Sequence, residues 1–538
     1  MSSAYGRTGT MTTVPPRGSS STRGVETTTL AGRCSMRLSA PADMVGTGVP
    51  LFRFYFLGGN KPYRRTPLSY PTRKSPGKDA EAQHPTTQTG EDSKLLEWKR
   101  QSQGRTAMLI EGARRVGKST LAEEFGRNEY ASCLTIDFTH APDDVLGYFG
   151  DMRNDLDTFF LYLSAYYGVS FHERDTLIVF DEVQQYPKAR EAIKQLVADG
   201  RYDFIETGSL VSIRENVKDI LIPSEERSLA LDPFDFDEFL WAMGEEPLSR
   251  AIADSYARLR PLPDSLHRKA MRLFREYMLV GGMPQAVETY IRTRDFHQVD
   301  EVKRDILKLY RDDIAKHAGS ARRRVTLLFD GLVSQLSQHE KKYRVSSLEP
   351  NARMREYDEA FFWLADACVV NDCVNSTDPT VGLGAYADRA TIKCYMADTG
   401  LLVTQALADS NVTEDDIYRD VLLGKISINE GMLTENVVAQ LLHSSGHALY
   451  FYSRNDRDDA SRTMEIDFLI VSRYPNAAMK PRVSPIEVKS SNRYRTSSLD
   501  KFKERFSGRV GLEYVLHPKP LEVRGDRRYL PLYMVGLL

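Results

Sequence analysis

Ala107-Met-Leu-Ile-Glu-Gly112-Ala113-Arg114-Arg115-Val116-Gly117-Lys118-Ser119-Thr120 is the stretch whose reading decides the fold. An apolar run breaks into a glycine turn, and the turn opens a helix-forming segment, KSTLAEEFGR. Gly112 to Ser119 fits G-x-x-x-x-G-K-[ST], in which glycines let consecutive backbone N–H groups curl around an anion. The dipole of the following helix adds positive potential at the same place. Lys118 is expected to reach the β and γ phosphates of a nucleotide, and the Ser119 hydroxyl to ligate magnesium. The octapeptide alone occurs by chance; a strand before it and a helix after it supply the context that confirms it. Arg114 and Arg115, inside the loop, either cover the nucleotide or face solvent. The ligands expected here are ATP and Mg2+.

Outward from the loop, Thr176-Leu-Ile-Val-Phe-Asp181-Glu182 is a buried strand ending in two carboxylates. Asp181 is expected to hold the magnesium through water, and Glu182 to polarise an attacking water. The alternative is a buried strand with an acidic turn. Asp203-Phe-Ile-Glu-Thr207-Gly208-Ser209 ends in hydroxyls where a γ-phosphate sensor belongs, and Thr207 or Ser209 would serve, although both residue types also cap helices. Arg227, just beyond, is either an arginine finger or a solvated surface residue.

Short buried strands alternating with helices indicate an α/β fold: a mainly parallel P-loop NTPase sheet covered on both faces, over residues 95–246. Residues 247–320 become helical, with apolar residues recurring at three and four, as suits a lid. Residues 321–425 pass from short helices to strands such as CVVNDCVN and TIKCYMAD, compatible with a winged-helix-like linker unit. Residues 426–538 form a second, separate α/β core. Residues 1–94 are rich in Ser, Thr, Arg, Pro and Gly, and are expected to be a disordered tail because they cannot bury enough apolar surface. That tail loosely matches an organelle transit peptide, but the favoured reading is a dispensable extension or a start called too far upstream.

Composition bounds the rest. At 538 residues, several compact units are expected. A formal net charge of -2 excludes a strongly basic protein, so nucleic-acid binding would require a local patch. No apolar run approaches the roughly 20 residues that span a bilayer, so no membrane partner is expected. The five cysteines are scattered without C-x-x-C spacing, which points to buried thiols in a reducing, cytoplasmic setting.

With these pieces placed, the chain resembles a prokaryotic family of AAA-type P-loop ATPases carrying a C-terminal domain of unknown function, itself similar to the PD-(D/E)XK nuclease fold. The resemblance runs from Leu95 to Leu538. It is carried by EGARRVGKST, IVFDEVQQYPKAR, ETGSL, DPFDFDEFLW, VGGMPQAV, MADTGLL, GMLTENVVAQLL, MEIDFLIV and PIEVKSS. One departure is Glu226-Arg227, where the family often has Gly-Arg. The resemblance points to Glu435, Asp467, Glu487 and Lys489 as a nuclease-like set. Glu487 and Lys489 alternate on PIEVK and so share a face, beside Asp467 on EIDFLIV. Asp467 and Glu487 could bind magnesium and orient a water against a phosphodiester, with Glu435 completing the shell. A buried ion-pair network that fixes strand register is the other reading. The functions implied are an ATPase coupled to a nuclease-like domain acting on DNA, or a nucleotide-dependent switch whose nuclease-like fold only binds DNA or a protein. Homo-oligomer assembly stays open.

Overall fold

The computed structural model describes residues 91–151, 155–208, 225–338, 342–407, 430–455, 463–471 and 481–538. The expected tail lies outside them apart from its last residues. These begin the helix Glu91–Ser102, whose Leu95 and Trp98 are buried. Ser209 also lies outside the described residues.

Five strands build the nucleotide-type sheet: β1 Ala107–Gly112, β2 Ser132–Asp137, β3 Thr176–Asp181, β4 Asp203–Gly208 and β5 Glu226–Leu231. Their order is β2-β3-β4-β1-β5 and every pairing is parallel. Parallel strands need helical crossovers that cover both faces, and two apolar clusters follow. Leu109, Ile136, Ile178, Phe180 and Phe204 meet Phe149, Phe159, Ile193 and Leu196 on one face. Met108, Ile110, Leu177, Val179 and Ile205 meet Ala122 and Phe125 on the other. The edge strand β5 was not anticipated: of its residues only Leu229 and Leu231 are buried hydrophobics.

The helical segment expected over 247–320 is formed by helices Glu246–Ala257, Asp264–Val280, Pro284–Thr293 and Phe296–His317. Its buried residues belong to the same cluster as the second face of the parallel sheet.

A second sheet follows: β6 Val370–Ser376, β7 Ala387–Met396, β8 Tyr450–Arg454, β9 Met464–Val471, β10 Val483–Val488, β11 Glu513–His517, β12 Glu522–Arg524 and β13 Arg527–Pro531. Its order is β12-β13-β11-β10-β9-β8-β6-β7, a mixed sheet of eight strands. This corrects the expected partition at 425/426. The strands assigned to a separate winged-helix-like unit, β6 and β7, join the C-terminal strands directly, because β6 pairs in parallel with β8 through Val374↔Tyr450. A hairpin's local pattern does not reveal which sheet it will extend. Helix Glu430–Ser444 is buried along most of its length, from Met432 to Leu442. Its apolar residues share a cluster with Phe468, Ile470 and Ile486 of the mixed sheet. Among the described residues, no helix is long and apolar enough to cross a membrane.

Candidate functional site

The phosphate loop lies at the C-terminal end of β1, between β4 and β5, where ligands of open parallel sheets bind. Gly117 is the residue preceding helix Lys118–Glu129 and has φ 100, a conformation that a side chain would strain. Gly112 is required for close approach: a Cβ there would lie 2.4 Å from the Leu231 carbonyl oxygen. Arg115 is also left-handed, with φ 68, and is exposed. Ala113 and Val116 are buried under the loop, whereas Thr120 sits half-buried one residue beyond Ser119 on the helix. Lys118 folds back into the loop and donates to the carbonyls of Gly112 and Ala113 at 3.1 and 3.0 Å. Burial pulls its ammonium below the usual range; Glu182, then Cys368 and Asp181, act against that shift.

Three expected residues come together beside it. Ser119 Oγ donates to Asp181 Oδ1 at 2.6 Å. Thr207 Oγ1 donates to that same carboxylate oxygen and accepts from the Glu182 backbone N–H at 3.3 Å. The loop, the acidic end of β3 and β4 are therefore one hydrogen-bonded unit. Arg114 spans outward to Asp313 at 2.6 Å, and the Tyr310 hydroxyl donates to the Arg114 carbonyl at 3.3 Å. Both partners belong to helix Phe296–His317, so the helical segment grips the loop. Pro284 adds to this grip: a Cβ on Gly117 would lie 3.7 Å from its ring.

Arg227 is the exception. It pairs with Met108 while Leu231 pairs with Gly112. Four strand residues, ~13 Å, thus separate it from the loop. Its guanidinium hydrogen-bonds Gln101 at 3.0 Å, so it faces away from the phosphates as a surface residue. The Glu226 departure has a structural use: Arg190 bridges Glu206 and Glu226, each at 3.1 Å, and all three are buried or nearly so.

Around the C-terminal carboxylates the geometry differs from a metal shell. Glu435 faces Lys393 at 3.4 Å and accepts from the Tyr395 hydroxyl at 3.3 Å. Lys393 Nζ lies 2.7 Å from Glu465. Burial acts to lower the Lys393 pKa, but Glu465 and Asp467 carry it above its ordinary value. Asp467 accepts from the Val488 backbone N–H at 2.8 Å, and Glu487 pairs with Lys489 at 2.9 Å. Burial raises the Glu487 pKa, opposed by Lys489. Among the described residues no three His, Cys, Asp or Glu groups are placed to hold a metal ion. Among the described residues Asp467, Glu487 and Glu435 do not form such a group: Lys393 lies against Glu435 and Glu465, and Lys489 against Glu487. Lys393 was read only as part of a strand; nothing in its local sequence signals this role.

The sequence places Cys368 only among the buried thiols and gives Gln184 no role. The Cys368 thiol is pushed up to about 12 by burial, with Asp232 adding to the shift and Lys118 opposing it. Gln184 donates its amide N–H to the Glu182 carboxylate. Nor do the many cations after residue 480 gather freely. Lys503 and Arg527 both pair with Glu513, Arg524 with Glu522, and Arg509 with Asp378.

Three family models match separate parts of the chain. Residues 104–240 match the model of an AAA domain, residues 271–412 a domain of unknown function (DUF8612), and residues 430–534 another (DUF4143). No curated protein matches. Among solved structures, the chain is similar to the Walker-type ATPase paby2304 of Pyrococcus abyssi, at 16% identity over 59% of this chain and 95% of that one, with a TM-score of 0.35. It is also similar to the ORC2 protein of Aeropyrum pernix, solved as ADPNP-ADP complexes, at 12% identity, 62% and 93% coverage and a TM-score of 0.33. A third is AMPPCP-bound DnaA from Aquifex aeolicus, at 12% identity, 52% and 84% coverage and a TM-score of 0.25. The domain match and the loop geometry together make residues 104–240 a nucleotide-binding P-loop domain of the AAA-type ATPase class.

Proposed function

We propose that the chain hydrolyses ATP and uses the nucleotide state to control its C-terminal mixed sheet. The observation that carries this is the single hydrogen-bonded unit made by Ser119, Asp181, Thr207 and the Glu182 backbone beside the Lys118 loop. Lys118 exchanges its two loop carbonyls for the β and γ phosphate oxygens when ATP binds. Ser119 Oγ and Asp181 Oδ1, hard oxygen donors 2.6 Å apart, suit a small divalent cation. They would hold magnesium, which supplies neutralisation of phosphate charge. Glu182 takes a proton from a water whose oxygen bonds the γ-phosphorus; the bond from that phosphorus to the bridging oxygen breaks, leaving ADP and inorganic phosphate. Thr207 reports the γ-phosphate through its shared contact with Asp181.

For the C-terminal unit we propose recognition without cleavage. Lys393 beside Glu435 and Glu465, with Asp467 acting on its charge, supports an internally neutralised ion-pair network over a metal shell. Phosphate release by the purified full chain tests the first half. Turnover abolished in Lys118→Ala, with Glu182→Gln binding ATP but failing to turn it over, is the expected result. Absence of turnover in the unaltered chain contradicts it. DNA, magnesium and ATP incubated with the chain test the second half: retention or no binding, without cleavage, is expected. Cleavage lost in Asp467→Ala would replace the proposal with a nuclease.

A further inference from the structure

The turn that follows β3 brings a second side chain onto Glu182. Glu182 has φ 53, a left-handed conformation uncommon outside glycine and concentrated at functional sites. It sends the chain into the short 3-10 turn Val183–Gln185, and Gln184 folds back so that its Nε2–H donates to Glu182 Oε2. Gln184 is only 4% exposed, so water cannot readily take over this contact. On the other side, the Glu182 backbone N–H is held by Thr207 Oγ1 at 3.3 Å, and Thr207 is tied to Asp181. Glu182 is thus fixed at both its backbone and one carboxylate oxygen, in a residue that is half-buried at the mouth of the loop.

We infer that Gln184 is a positioning residue for hydrolysis: its amide fixes one oxygen of Glu182 and leaves the other aimed to orient the attacking water. The inference rests on the proposed role of Glu182. Its physical content is alignment. A glutamate on a free rotor samples several orientations, and a displacement of about 1 Å costs up to roughly 100-fold in rate. The competing explanation is that Gln184 only satisfies a buried turn.

Steady-state hydrolysis and ATP affinity of the full chain separate the two, using Gln184→Leu and the similarly shaped Gln184→Met, which both lack the amide donor, with thermal unfolding as a check on folding. Positioning predicts that Gln184→Leu lowers kcat roughly 10- to 100-fold with KM and ATP affinity unchanged. A purely structural role lowers stability without splitting kcat from KM. Wild-type-like kcat in a folded Gln184→Leu or Gln184→Met overturns the inference while leaving hydrolysis intact. A chain that binds ATP and never turns it over removes the inference together with the reading it rests on.

Discussion

Lys118 and Lys393 are both buried ammonium groups, and their surroundings send them to different work. Lys118 is satisfied by backbone carbonyls of its own loop, a weak and exchangeable arrangement. Lys393 is surrounded by carboxylates and a ring, with Glu465 at 2.7 Å, Glu435 at 3.4 Å and Phe451 at 4.9 Å from its centroid. Removing one partner of a buried ion pair leaves an uncompensated charge, so Lys393→Met is expected to cost about 3–5 kcal/mol. Urea unfolding of the folded variant checks this, and Glu435→Gln added to Lys393→Met is expected to recover part of the loss. Lys118 was legible in the sequence because its loop, strand and helix are contiguous. Lys393 was not, because its partners lie on a helix and a strand some forty and seventy residues away. Gln184 falls between these cases. It stands two residues from Glu182, yet their contact depends on the left-handed turn, which no residue type at Glu182 announces.

Between elements, the contacts concentrate where the motifs left over from the phosphate site meet. The Phe234 N–H donates to the Gly282 carbonyl at 2.8 Å, and the Gly282 N–H donates to Asp398 at 2.5 Å. Asp398 also caps helix Thr399–Ala406 by accepting from Leu401 N–H at 2.8 Å. Thr399 donates to Gln440, Gln440 to Tyr277, and Tyr277 back to the Phe234 carbonyl at 2.7 Å, which closes a buried ring of hydrogen bonds. Glycine at 282 is a packing requirement, since a Cβ would sit 2.2 Å from the Phe234 carbonyl oxygen. Gly282→Ala is expected to destabilise by about 1–3 kcal/mol, read as a lower urea midpoint. A pH effect arises at the end of β11. Burial holds buried His517 down to about 4, from an ordinary value of 6.5, and its Nδ1 meets the Tyr494 hydroxyl at 2.6 Å. The unfolded chain binds a proton there first, so stability is full above pH 6.5 and falls as pH drops from 6.5 toward 4, by an amount on the order of 2 kcal/mol. Unfolding midpoints across that window check the sign, and His517→Asn is expected to flatten the slope.

Across the molecule, one apolar cluster joins a face of the parallel sheet, the intervening helices and a face of the mixed sheet, from Leu95 to Leu538. The other faces carry clusters of their own. The proposed control of the C-terminal strands by nucleotide would run through this shared core and the Asp398 ring. The centre of the parallel sheet was readable from the apolar runs of β1, β3 and β4, each ending at a residue of the phosphate site. The eight-stranded sheet was not, because β6 and β7 are separated from β8 in sequence and only long-range pairing assigns them. β5 escaped for a related reason: as an edge strand it alternates exposed charge with few buried side chains. All of this depends on the loop being a working nucleotide site. Calorimetric titration of the full chain with ATP and magnesium tests that most directly. One saturable site, lost in Lys118→Ala and weakened when magnesium is withheld, is the predicted result. Equal heats from the unaltered chain and Lys118→Ala, or no binding at millimolar ATP, would contradict it.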